Sequence, residues 1–211
     1  MAFFQEIRIL HKKTHGTSSS VIINLKCESS QIWLQAVLAD FDTFLLDHAA
    51  NEKKASGVAL NLAAHYPDKP DLVAAMIDLA IEELSHYRDV FKLIRDRHLT
   101  MPPDSKDLYV NQLRGLIRKG SHHYFLDRLL VTAVIEARGL ERFTKIAEAL
   151  PAGSLKNFYQ AIAHSEARHA NLFLILAEQY CPIVSIQPRL DQLLTSEAEI
   201  LADLPYCAKL H

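Results

Sequence analysis

Glu82-Glu83-Leu84-Ser85-His86-Tyr87 and, far downstream, Ser165-Glu166-Ala167-Arg168-His169 repeat one pattern, a glutamate and a histidine three residues apart. On a helix that spacing puts both side chains on one face. Counting outward in steps of three and four gives Leu72, Met76, Leu79, Glu83, His86, Val90 and Leu93 around the first pair. The second gives Leu155, Tyr159, Ile162, Glu166, His169, Phe173 and Leu176. Each is the apolar seam of a core-facing helix, interrupted at the Glu and the His. Two more segments share the interruption. Phe41, Leu45, His48, Glu52, Ala55, Ala59 and Leu62 form a stripe carrying Glu52, and Leu129, Ala133, Glu136, Leu140 and Phe143 form one carrying Glu136.

Four helices that each point a carboxylate inward need positive charge among them. One buried, unpaired carboxylate costs several kcal/mol, and four would approach the whole stability of a domain. Four carboxylates and two imidazoles are the ligand set of ferritin-like di-iron and di-manganese proteins. The spacing agrees: Glu83 follows Glu52 by 31 residues and Glu166 follows Glu136 by 30. Each half then reads as a helical hairpin giving one Glu and one Glu-x-x-His, the halves related by a pseudo-twofold axis and joined by a crossover from about His98 to His122. A lone Glu-x-x-His is usually a solvated helix face; two, each preceded by a core-facing Glu, are far more specific. Oxygen donors with imidazole suit iron or manganese better than zinc, and six ligands for two ions leave coordination positions open.

The rest of the chain fits this reading. At 211 residues it is expected to be a single all-α, ferritin-like four-helix domain, with a bundle core over about 41–180, a lead-in over 1–40 and a helical tail over 183–211. Prolines and short polar runs punctuate helices expected at Phe41–His65, Asp71–His98, Leu108–Lys119, His122–Leu150, Ser154–Tyr180 and Pro188–Leu204, with a helical piece over Gln31–Leu38 anchored by Trp33. Cys27, Cys181 and Cys207 are too few and too scattered for a disulfide framework or a Cys-x-x-Cys site, and are expected to be reduced. No apolar run reaches the roughly 18 residues of a membrane span. Met1-Ala2-Phe3-Phe4-Gln5-Glu6-Ile7-Arg8 lacks the secretory pattern, so the expected location is cytoplasmic. A net charge of -2 gives no global basic footprint for nucleic acid, and any such contact has to be local.

Asp47-His48-Ala49-Ala50-Asn51-Glu52-Lys53-Lys54-Ala55, Glu82 to Tyr87, and Ile135-Glu136-Ala137-Arg138-Gly139-Leu140-Glu141-Arg142-Phe143 closely resemble the tRNA 2-methylthio-N6-isopentenyladenosine hydroxylases, the MiaE family. Phe158-Tyr159 and Glu166 to His169 extend the resemblance, which covers roughly Trp33 to Tyr180. It departs at Gly139-Leu140, where the family signature has Ser-Cys. The resemblance implies a non-haem di-iron monooxygenase that hydroxylates the isopentenyl side chain of the modified adenosine beside the tRNA anticodon. Its implied cofactors are two iron ions, with manganese a possible substitute, held by Glu52, Glu83, His86, Glu136, Glu166 and His169. Dioxygen is the implied co-substrate, and a reductase or ferredoxin-like donor the implied external reductant. The alternatives are a ferritin-like ferroxidase or peroxidase, or a di-iron oxidase for another substrate. The expected assembly is a monomer or small homo-oligomer.

Lys106, Arg114, Arg118, Lys119, His122, His123 and Arg128 make a local basic excess that can dock an RNA backbone, against the even alternative of a solvated face. Lys53, Lys54, Arg138 and Arg142 flank the ligands; for the two arginines, pairing with carboxylates such as Glu141 ranks above RNA contact. His48 reads first as a satisfied core histidine and second as a partner of Glu52. Tyr87 and Tyr159 read as packing.

Overall fold

The computed structural model describes residues 19–211, apart from the side chains of Ser121 and His122. Among these residues seven helices and no strands occur: α1 Gln31–Ala39, α2 Phe41–His65, α3 Pro70–Asp96, α4 Leu108–Gly115, α5 Ser121–Ala149, α6 Ser154–Tyr180 and α7 Ile183–Asp203. The first part of the lead-in, including Thr17 and Ser18, lies outside the described residues.

Helix starts follow local chemistry. The Ser30 and Asp40 side chains accept from Trp33 N and Thr43 N to open α1 and α2, Asp107 does the same for Val110 N at α4, and Pro70 stands in the first turn of α3. Helix α3 ends at Asp96, and His98, two residues beyond, has a left-handed φ of 57°. There His98 N donates to Arg95 O and Leu99 N to Ile94 O, capping the last turn.

Two ends differ from the sequence reading. Helix α4 stops at Gly115 rather than near Lys119, because Leu116 N and Ile117 N close tight turns onto Leu113 O and Arg114 O and Arg118 N is drawn to Asp127 Oδ2 at 2.9 Å. Helix α7 starts at Ile183, not Pro188. The missing Pro188 N–H affects only the turn at Val184, which is 86% exposed.

The helices form two compact units. One comprises residues 30–106 and 205–211 and is built on the α2–α3 hairpin. Its core takes Phe44, Leu45, Ala59, Leu62, Leu72, Met76, Val90 and Ile94. Trp33, as expected, is an anchor: it is buried and donates through Nε1 to Lys209 O at 2.9 Å, while Leu210 N donates to Asp47. The other unit comprises residues 19–29 and 107–204, with the α5–α6 hairpin flanked by α4 and α7. Both hairpins bury their stripes, which is what carries the Glu and His side chains inside.

Candidate metal centre

On the α2–α3 hairpin, Ser56 Oγ donates to Ala80 O at 3.0 Å and ties the helices together one turn beyond Glu52. Glu52 and Glu83 are 4% and 1% exposed, and His86 keeps 12% of its side chain exposed. One ligand atom from each lies within 4.8 Å of the other two. His86 Nδ1 is 3.2 Å from Glu83 Oε2 and 3.6 Å from Glu52 Oε2. His48, fully buried under the Phe44 ring, sits with Nε2 2.6 Å from Glu52 Oε1. It is therefore the partner of Glu52, the reading ranked second from sequence, and it fixes which way that carboxylate faces.

The electrostatics explain what the corner wants. Burial opposes charge on Glu52, yet the hydrogen bonds from His48 and His86 hold its carboxyl far below the usual range. Burial likewise opposes a charged His86, and Glu52 and Glu83 overcome it, pushing the imidazole up to about 9. Two buried carboxylates at this separation attract a cation strongly.

The α5–α6 hairpin carries the matching set. Glu136, Glu166 and His169 are 7%, 5% and 2% exposed, and His169 Nδ1 lies 3.9 Å from Glu136 Oε2. Gly139, one turn past Glu136, backs onto Glu166: a Cβ there would stand 3.4 Å from Glu166 Oε2. Tyr159 stacks on Phe143 with centroids 5.8 Å apart, and Tyr87 lies beside Phe91, which is packing in both cases. Each hairpin thus buries two carboxylates and one imidazole. That donor set fits iron or manganese, hard enough for oxygen and able to take imidazole.

Arg138 and Arg142 are placed elsewhere. Arg138 is fully buried, with Nε 2.8 Å from Glu197 Oε1, Nη2 3.0 Å from Glu197 Oε2 and 3.0 Å from Cys27 O, and Nη1 3.0 Å from Glu141 Oε2. Tyr109 donates to the same Glu197, and Ser29 binds Glu141 through both N and Oγ. Burial pushes Arg142 down to about 10, and its Nε donates to Ser29 Oγ. Arg138 holds α5 to α7 and to Cys27, and Arg142 holds α5 to Ser29; both are buried, and neither reaches solvent as an RNA contact must. Glu197 escaped the sequence reading, although it continues the buried stripe Ile186, Leu190, Leu193 and Leu194 of α7. The lysines Lys53 and Lys54 bind Asp104 and Ser105 O and hold the connecting loop to α2.

Of the other basic candidates, Arg114, Lys119 and His123 are exposed and Arg118 is partly so. The His122 side chain lies outside the described residues. The three cysteines are free, as expected, and no helix among the described residues is long and apolar enough to cross a membrane.

Helical hairpins that each bury a Glu and a Glu-x-x-His define the ferritin-like carboxylate class. The family model described as tRNA-(MS2IO6A)-hydroxylase (MiaE) matches residues 17–211. The chain belongs to this family of tRNA hydroxylases. The tRNA 2-(methylsulfanyl)-N(6)-isopentenyladenosine(37) hydroxylase of Pseudomonas putida is 37% identical over 177 residues, 84% of this chain and 86% of that protein. The enzyme of the same name from Salmonella typhimurium is 32% identical over 108 residues, 51% of this chain and 40% of its own length. Among solved structures, a Synechococcus protein described as having aldehyde deformylating oxygenase activity matches with a TM-score of 0.84 at 35% identity, covering 90% of this chain and 96% of that one.

Proposed function

We propose that this chain hydroxylates the isopentenyl side chain of 2-methylthio-N6-isopentenyladenosine next to the tRNA anticodon, drawing on dioxygen and an external two-electron donor. The observation that carries the reading is the duplicated buried set, Glu52 with Glu83 and His86 and Glu136 with Glu166 and His169, in a chain of the MiaE family. These six residues would hold two iron ions, one imidazole for each. Iron bound there supplies the oxidising power needed to place one oxygen atom of dioxygen into an unactivated C–H bond. The protein's own part is to position and to shield. His48 orients Glu52 through the 2.6 Å contact, and Ser56 keeps α2 in register with α3. The apolar residues above and below each ligand set, Leu79 and Val90 on α3 and Ile162 and Phe173 on α6, exclude water from the carboxylates. A reductase or ferredoxin-like protein is the natural donor, and the cytoplasm, where tRNA is found, the natural location.

Nucleoside analysis of tRNA tests the assignment. Cells making the precursor nucleoside should gain its hydroxylated form when the chain is expressed, and an unchanged nucleoside profile would refute it. One observation favours a second substrate class, the likeness to the Synechococcus oxygenase. Turnover of an aldehyde by the iron-loaded protein, without tRNA hydroxylation, would establish that reading instead.

A further inference from the structure

From Leu108 to Leu126 the chain contains no acidic residue, but it holds Arg114, Arg118, Lys119, His122 and His123. The fold uses the first acid after that run, Asp127, in an unusual way. Asp127 is completely buried and takes two arginines at once. Arg118 reaches it through Nε at 2.9 Å and Nη2 at 2.7 Å, and Arg189, from α7, through Nε at 3.0 Å and Nη2 at 2.8 Å. Arg189 Nη2 also donates to Leu116 O at 2.7 Å, clamping the loop after α4 onto α7. One carboxylate cannot neutralise two guanidiniums, so the cluster keeps a net positive charge whatever its surroundings.

Next to the clamp in sequence are groups that it does not use. The Arg114 and Lys119 side chains are exposed and have no hydrogen-bond or ion-pair partner among the described residues. The Arg118 side chain remains 39% exposed. Tyr124 is 40% exposed, with the Arg128 guanidinium 5.7 Å from its ring centroid. A fixed arginine, two unpaired cations and an exposed aromatic ring fit a nucleic acid backbone: guanidinium and ammonium groups bind phosphates, and the ring stacks on a base or ribose. An acidic protein would use the charges but has less use for the ring.

We infer that the surface formed by Arg114, Arg118, Lys119 and Tyr124, stiffened by the Asp127–Arg189 clamp, binds phosphates of the substrate tRNA. This rests on the proposed tRNA hydroxylase function. Tyr124 lies near the start of α5, and Glu136 is 12 residues further along that helix, roughly 18 Å at 1.5 Å per residue. The contacts of the surface therefore fall on the tRNA body away from the modified base, and they govern binding rather than the chemical step.

The test compares the full-length, iron-loaded protein with the charge-reversed variant Arg114→Glu/Lys119→Glu, using tRNA that carries the 2-methylthio-isopentenyl nucleoside. A control, Lys92→Glu/Arg95→Glu, makes the same change in net charge on the exposed face of α3. The expected result is a KM for tRNA raised about tenfold or more at physiological salt, with kcat at saturation kept and the iron content unchanged. In the neutral variant Arg114→Gln/Lys119→Gln, the salt dependence of tRNA binding should lose about 0.7–0.9 in log–log slope for each phosphate contact removed. Equal KM values in wild type and the reversed variant, or the same loss in the control, would overturn the surface while leaving the hydroxylase reading in place. Unaltered tRNA binding with slower reduction by a protein donor would also overturn it, and would assign the patch to that donor. A wild-type protein that neither binds nor hydroxylates tRNA would overturn both.

Discussion

Replacing Arg138 with Met tests whether the buried ion cluster of the second unit behaves as one object. Arg138 makes short contacts to both oxygens of Glu197, to Glu141 and to Cys27 O, and neither Arg138 nor Glu197 touches solvent. Arg138→Met leaves Glu197 with the Tyr109 hydroxyl and the nearby charge of Arg142, a poorly compensated buried charge that costs about 3–5 kcal/mol. Glu197→Leu strands the guanidinium and should cost a similar amount, eased by the remaining Glu141. The double variant Arg138→Met/Glu197→Leu removes both charges together; its main debt is the Tyr109 hydroxyl, about 1–3 kcal/mol. It should therefore be more stable than either single variant. Guanidinium unfolding followed by far-UV circular dichroism gives the three free energies at constant m-value. A single variant that loses under about 1 kcal/mol, or a double that loses the sum of the two singles, would refute the reasoning.

His98→Gly should stabilise the chain by about 1 kcal/mol, because residue 98 has φ 57° and the side chain pays for a conformation that glycine adopts freely; an unchanged unfolding midpoint would count against a left-handed cap at α3. Anaerobic iron(II) should raise unfolding free energy by about 2.7 kcal/mol at a hundredfold excess over its Kd, and Glu136→Ala should lose much of that gain and the hydroxylase activity while keeping its helical spectrum. Iron-dependent stabilisation unaltered by Glu136→Ala would remove that residue from the ligand set.

The hairpins and their inward-facing carboxylates and histidines were legible because burial on a helix leaves a periodic trace and a charged residue on that trace is conspicuous. The same trace also misleads. Glu197 and Asp127 are inward carboxylates too, and their cations are Arg138 in the one case and Arg118 with Arg189 in the other. What separates the two kinds is an imidazole in place of a guanidinium: Glu83 and Glu166 have a histidine three residues on, and those histidines also face Glu52 and Glu136 across each hairpin. The pairing of Arg138 with Glu141 was legible one turn apart on α5, but its partners Glu197 and Cys27 were not, for a related reason. Helix α5 packs against α4, α6 and α7, and one helix's periodicity cannot say which neighbour will cover each face. The role of Arg189 was invisible because its partner lies 62 residues away. His48 was seen, but its bond to Glu52 depends on rotamers that spacing leaves undetermined.

The unit that holds Glu52, Glu83 and His86 is discontinuous: residues 205–211 return to it, with Lys209 O accepting from Trp33 and Leu210 N donating to Asp47. On the ribosome, residues 30–106 leave the exit tunnel well before these last partners have been made. At about 5–20 residues per second the delay is roughly 5–20 s, long compared with the time a helical hairpin needs to form. The first hairpin therefore waits with its Trp33 edge incomplete while the other half of the chain is synthesised, a window in which a chaperone or a neighbouring nascent chain competes for that edge.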